Sequence, residues 1–202
     1  MPGENVQFQL IAGFGNPGSD YANTRHNAGF WYVDALAREL GVSFNNDKRF
    51  FSQVASAHFH GRKLLLVKPM NYMNRSGQGL AAVAGFYKIP TNRILVAHDE
   101  LDIPPGHIRL KNGGGHGGHN GLRDSVSKLG GADFWRLRIG IGHPGHKSAV
   151  SGYVLKRASA EHQRLIEEAI ELALRESSNI IDGDINVATK QLHSHKPLNP
   201  EP

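Results

Sequence analysis

The sequence predicts a single α/β domain with a mixed, mostly parallel central sheet flanked by helices. Three observations predict it. Strand-like and helix-like segments alternate along the chain, the ordering that puts parallel strands beneath crossover helices. The segment RILVAHD, residues 93–99, opens as a continuous apolar run, the pattern of a strand covered on both faces. Finally, 202 residues with 39% hydrophobic content can bury one good core and are short for two.

The elements follow in order. VQFQLIA, residues 6–12, reads as the first strand, and residues 28–41 as a helix, with Phe30, Val33, Leu36, Ala37 and Leu40 at helical spacing and Gly41 as the stop. Residues 51–69 read as two strands joined by a turn at His60–Gly61. Residues 76–89 are helical up to Pro90, residues 93–99 form a strand, residues 119–131 a helix and residues 135–142 another strand. The clearest helix spans residues 159–181, with Ser159 as N-cap and Leu165, Ile166, Ala169, Ile170 and Ala173 on one face. One catalytic domain is expected over residues 1–194. Residues 195–202, rich in Pro and polar side chains, are expected to form a flexible tail.

Composition narrows the chemistry. The absence of cysteine excludes disulfides, thiolate metal sites and a cysteine nucleophile. No apolar run approaches membrane-spanning length, and MPGENVQ lacks the features of a secretory signal, so a cytoplasmic protein is expected. Residues 106–157 carry nine Lys or Arg against two Asp, a larger surplus than the net +5 of the whole chain. A basic region on a slightly acidic body suggests a docking face for a polyanion, because neutralised phosphates release counterions. A solvated basic surface is the plain alternative.

In an open α/β sheet, ligands bind beyond the carboxyl ends of the strands. Three predicted strand ends release polar residues, so Asn16, Asn71, Asn74, His98, Asp99 and Glu100 are expected on one rim. The first of these ends carries Gly13, Gly15 and Gly18 as G-x-G-x-x-G. A dinucleotide cradle would start its helix within those glycines, whereas here Pro17 and the polar run SDYANTR intervene. The second cluster, NGGGHGGHNG, suits either a mobile flap or backbone brought close to a bulky ligand. The H-x-x-H pairs His116/His119 and His143/His146 lie in glycine-rich loops without a helix to fix metal geometry. No G-x-S-x-G elbow offers a serine nucleophile. What remains is His26, suited to accept a proton near neutral pH, with a carboxylate such as Asp99 to hold its far nitrogen. Asn16 and Asn74 could donate hydrogen bonds to a carbonyl or to the oxyanion formed from it.

Five blocks in order, GFGNPGSDYANTRHNAGF, KPMNYMNRSGQ, AHDELDIPPG, GGGHGGHNGLRD and RLRIGIGHPG, together resemble the bacterial peptidyl-tRNA hydrolase family, over about residues 6–193. The resemblance implies hydrolysis of the ester between a peptidyl group and the terminal ribose of tRNA. It places His26 as the base, Asp99 as the carboxylate that stabilises its basic form, and Asn16 as the residue that tells blocked from unblocked aminoacyl-tRNA. Tyr21, Tyr72, Asn74 and Asn120 fall at positions that bind the tRNA end and peptidyl group, and Met73 and His119 would line the same cleft. Lys111 and Arg138 match basic positions suited to acceptor-stem phosphates, with Arg109 and Lys147 as further candidates. A monomer acting without cofactor, metal or protein partner is expected.

Overall fold

The computed structural model describes residues 6–197. Seven strands form one sheet in the order β2-β3-β4-β1-β5-β7-β6, where β1 is Leu10–Gly13, β2 Asn45–Asp47, β3 Ser52–Phe59, β4 Arg62–Pro69, β5 Ile94–Glu100, β6 Ile108–Asn112 and β7 Trp135–Gly140. The central neighbours β4-β1-β5-β7 pair in parallel and the outer pairs are antiparallel. The expected mixed sheet is therefore parallel at its centre and antiparallel at both edges. The helices are α1 Ala28–Glu39, α2 Ser76–Phe86, α3 Asn120–Leu129, α4 Val150–Val154, α5 Ala160–Arg175, α6 Ser177–Asp182 and α7 Ile185–Ser194.

Each face of the sheet has its own core. Ile11, Leu66, Leu95 and Ile139 pack against α1, α5 and the C-terminal helices on one side. On the other, Leu10, Val67 and Val96 pack against α2 and α3 through Leu80, Val83 and Leu122. Alternate residues of one strand thus serve opposite cores, which is why β5 had to be apolar without a break.

Several boundaries differ from the sequence reading, each for a physical reason. The first strand begins at Leu10 rather than Val6, because Phe8 N–H donates to the Ile181 carbonyl of α6 instead of joining the ladder. Residues 159–181 are two helices, broken after Arg175. The edge strands β2 and β6 and the helices α4 and α7 were not anticipated. Within α7 only Ala188 and Leu192 are buried, too few for a periodic signal. The expected tail is partly anchored: His195 Nε2 lies 3.0 Å from Glu168, and a Cβ on Gly106 would come within 2.6 Å of Pro197. Residues 198–202 of that tail lie outside the described residues.

Three arginines, of which Arg109 and Arg136 belong to the basic region counted above, serve backbone carbonyls instead. Arg25 Nη1 donates to the Tyr153, Lys156 and Arg157 carbonyls at 2.9–3.3 Å beyond and within α4, and its guanidinium stacks on the Tyr153 ring. Arg109 reaches the Leu192 and His193 carbonyls at the end of α7. Arg136, buried, holds the Gly114 and Gly115 carbonyls. Arg25→Ala is expected to lower unfolding stability by about 2 kcal/mol, since it removes the charged hydrogen bonds that tie these carbonyls to the turn before α1. The midpoint of urea unfolding checks this, and an unchanged midpoint would mean that solvent replaces the guanidinium without loss.

Candidate active site

The site is assembled where α1 descends onto the ends of β1 and β5. A Cβ on Gly29 would collide with the Phe14 backbone and the Ala97 carbonyl, and one on Gly13 would collide with the Gly29 carbonyl. These glycines let helix and strand ends meet at backbone contact. The helix starts at Ala28, fifteen residues past Gly13, so its N-terminus is not the phosphate cradle that G-x-G-x-x-G would require. The glycines set a close approach, and that approach hangs the turn Arg25–Asn27 directly over Asp99.

Two hydrogen bonds fix the protonation pattern. His26 Nδ1 and Asp99 Oδ2 are 2.8 Å apart, and His119 Nε2 and Asp99 Oδ1 are 2.9 Å apart. His119 is also the N-cap of α3, with Nδ1 accepting from the N–H groups of Gly121 and Leu122. An imidazole whose Nδ1 accepts must carry its proton on Nε2, so His119 donates to Asp99. The carboxylate's other oxygen then accepts the Nδ1 proton of His26, leaving Nε2 of His26 as the nitrogen available to a ligand.

Electrostatics follow from the same contacts. Burial of His26 works against its charged form, but the charge of Asp99 and its hydrogen bond outweigh that and raise the imidazole pKa above 6.5. Burial of Asp99 favours its neutral acid, yet His26 and His119 together hold the carboxyl below its usual range. His98 lies beneath this pair, fully buried, with its ring 5.0 Å from that of His119 and Nδ1 on the Asp99 carbonyl. Burial and the neighbouring His119 push His98 down to about 3, so it stays neutral.

Asn16 is locked from three sides. Its N–H donates to Asn27 Oδ1 at 2.8 Å, its carbonyl accepts from Asn27 Nδ2 at 3.0 Å, and its side-chain Oδ1 accepts Met73 N–H at 2.7 Å. With Oδ1 committed, the amide that Asn16 turns to the cleft can only donate, through Nδ2. The cleft itself has a volume of about 780 Å³. Tyr21 and Tyr72 meet edge to face on one side, next to Met73 and Asn74, and Leu101, Val150, Val154 and Leu155 form an apolar wall opposite. Gly117 and Gly118, both at positive φ, bring bare backbone to the cleft beside His119 and Asn120. Their loop is pinned at its other end by Arg136.

Of the residues expected from sequence, Asn16, Tyr21, His26, Tyr72, Met73, Asn74, Asp99, His119 and Asn120 all border this cleft. Asn71 and His98 do not share the rim as expected. Asn71 turns outward to Gln78, and His98 points into the core because residues 98 and 99 face opposite sides of their strand. Lys111 and Arg138 also lie outside the cleft. Lys111 lies at the exposed end of β6, its side chain over Gly114, and Arg138 Nε donates to Glu100 at 2.9 Å. Sequence reasoning missed Asn27, whose double bond to Asn16 no pattern announces, and the α4 wall, whose Val150 and Val154 are one helical turn apart in a helix of five residues.

His26, Asp99 and His119 offer ligand atoms within 4.8 Å of one another, the metal-like grouping among the described residues. Here both carboxylate oxygens accept imidazole N–H groups and His119 Nδ1 accepts two backbone N–H groups, so a cation would have to displace these bonds. The arrangement can accept a proton at His26 Nε2.

A family model described as peptidyl-tRNA hydrolase matches residues 10–200. A peptidyl-tRNA hydrolase of Marinomonas sp. (strain MWYL1) is 53% identical over 190 residues, covering 94% of this chain and 98% of the relative. One from Neisseria gonorrhoeae (strain NCCP11945) is 53% identical over 186 residues, covering 92% and 97%. The crystal structure of peptidyl-tRNA hydrolase from Acinetobacter baumannii superposes with a TM-score of 0.93 at 49% identity, covering 97% of this chain and 100% of that one.

Proposed function

The chain belongs to the peptidyl-tRNA hydrolase family and is a hydrolase of the ester in peptidyl-tRNA; on that premise we propose that His26 is the general base that activates water. The observation that carries this reading is the Asp99 bond to Nδ1, which leaves Nε2 unprotonated beside the cleft. Nε2 takes a proton from water as the oxygen bonds to the ester carbon. The imidazolium then returns that proton to the ribose oxygen as the ester bond breaks. No covalent enzyme intermediate is needed, because an ester expels its alcohol more readily than an amide expels an amine.

Asn16 Nδ2 and the Asn74 amide are placed to donate to carbonyl oxygens of the acyl group. The same donor explains discrimination. A peptide carbonyl accepts from Nδ2, whereas the free ammonium of an unblocked aminoacyl-tRNA offers only donors and is repelled. The apolar wall of α4 suits the acyl side chain, and Tyr21 and Tyr72 suit stacking with the terminal base. The reading places the enzyme in the cytoplasm as a monomer, with neither cofactor nor metal in its chemistry. Release of free tRNA from N-acetyl-aminoacyl-tRNA, with the unblocked form alongside, tests it. Cleavage of the blocked form alone is expected, and equal rates on both would remove the role given to Asn16.

Lys111 supplies the phosphate contact on this reading, with Arg138 held nearby by Glu100. Lys111→Ala is expected to raise KM for peptidyl-tRNA and reduce the slope of log affinity against log salt by about one. Hydrolysis of N-acetyl-aminoacyl-adenosine, which lacks the stem, is expected to be unaffected. Equal loss on both substrates would move Lys111 out of the docking face.

A further inference from the structure

Helices α2 and α3 approach to backbone contact at one level. A Cβ on Gly77 would collide with the backbone of Asp124 and Ser125, and Asp124 Oδ2 accepts the Gln78 N–H at 3.1 Å. Away from that contact, the small side chains Ala81 and Ala82 leave a solvent-open groove of about 720 Å³, with Arg75 and Gln78 on one bank and Asp124 and Lys128 on the other. Asn74 borders both this groove and the catalytic cleft, so the two meet beside the position assigned to the ester. The reaction described above makes no use of it.

We propose that this groove receives the part of the peptide upstream of the residue esterified to tRNA, and that it favours acidic side chains there. The inference rests on the peptidyl-ester reading. Three features choose a polypeptide as occupant. Asn74 and Gln78 present carboxamides, and Asp124 presents an acceptor, so the lining can both donate to carbonyls and accept from N–H groups. The phosphates of an RNA strand offer Asp124 no donor and are repelled by it, leaving only 2′-hydroxyls to pair with it. Arg75 and Lys128 have no carboxylate partner within ion-pair distance among the described residues and outnumber Asp124, which gives the groove a net positive charge for Glu or Asp side chains. The alanine floor and the aliphatic stems of the two cations accept apolar atoms.

The test compares three substrates that share one tRNA and one esterified residue: N-acetyl-aminoacyl-tRNA, an acetylated tetrapeptidyl-tRNA with two upstream Glu, and its counterpart with two upstream Lys. The Glu substrate is expected to exceed the Lys substrate in kcat/KM by about fivefold, the yield of exposed charge pairs. Arg75→Glu with Lys128→Glu is expected to invert that ratio, and the milder Arg75→Gln with Lys128→Gln to bring it to one. Because both peptides carry the same tRNA, the ratio is blind to any effect on RNA docking. A ratio of one in the parent, or a ratio that the reversal leaves unmoved, overturns the groove. So does an equal loss on both peptides with a changed salt slope, which would assign the groove to RNA. Failure of the parent to cleave even N-acetyl-aminoacyl-tRNA would instead overturn the reading on which the groove rests.

Discussion

His26→Ala is expected to lower kcat on N-acetyl-aminoacyl-tRNA by about 10³-fold, within the range that a positioned general base contributes, while KM stays close to that of the parent. The split follows from geometry. His26 is only 8% exposed and bonded through Nδ1 to Asp99, so its contact with the substrate is through the proton it moves rather than through binding area. Single-turnover rates beside steady-state kcat would show that the lost step is chemistry. Retention of more than about half of kcat would end the assignment.

The pH dependence of the parent follows with a definite sign. In the proposed role the working form of His26 is neutral, so kcat/KM is expected to rise with pH through the imidazole pKa, which Asp99 holds above 6.5. Stability moves the other way. A histidine whose folded pKa is raised contributes stability that is full below the unfolded value and lost as pH rises through the folded value. The proposed base is therefore gained over the same interval in which the His26–Asp99 ion pair ceases to stabilise the fold.

Much of this site was legible because it depends on strand ends. Continuous apolar runs mark β4 and β5, and the residue types just beyond them could be read as a rim without coordinates. His26 and Asp99 followed from residue chemistry and from the resemblance of the surrounding blocks. What stayed hidden has three physical causes. Edge strands such as β2, with residues Asn45–Asp47, bury too little to leave an apolar signature. Side-chain pairs between separate elements depend on close approaches that no local pattern reports: at Gly29 for Asn27 with Asn16, and at Gly121 for His119 with Asp99. Charge counting assigned Arg109 and Arg136 to a basic face, whereas a guanidinium with five donors is also the best partner for loose carbonyls, and both are used that way. The basic surface left for the proposed docking face is consequently narrower than the sequence suggested.

Asp99→Asn should cost about 10³-fold in kcat, more than the loss of a neighbouring charge alone would explain. Asp99 accepts at both oxygens, from His26 and from His119. Asparagine of the same shape offers one acceptor and one donor. His119 cannot adapt cheaply, because its Nδ1 caps α3 by accepting from Gly121 and Leu122, and its Nε2 must therefore keep its proton. The Asn oxygen consequently faces His119 and its NH2 group faces His26, which must move its proton to Nε2. That tautomer cannot take a proton from water. A second substitution separates this account from simple charge loss. His119→Ser keeps an N-cap oxygen for α3 but releases the demand on residue 99, so the Asn can turn its oxygen to His26. Asp99→Asn with His119→Ser is then expected to be at least about threefold more active than Asp99→Asn alone, a coupling of the size found between groups in one hydrogen-bond network. If the double variant were slower than the single one, the tautomer argument would be wrong, and Asp99 would act on His26 through its charge alone.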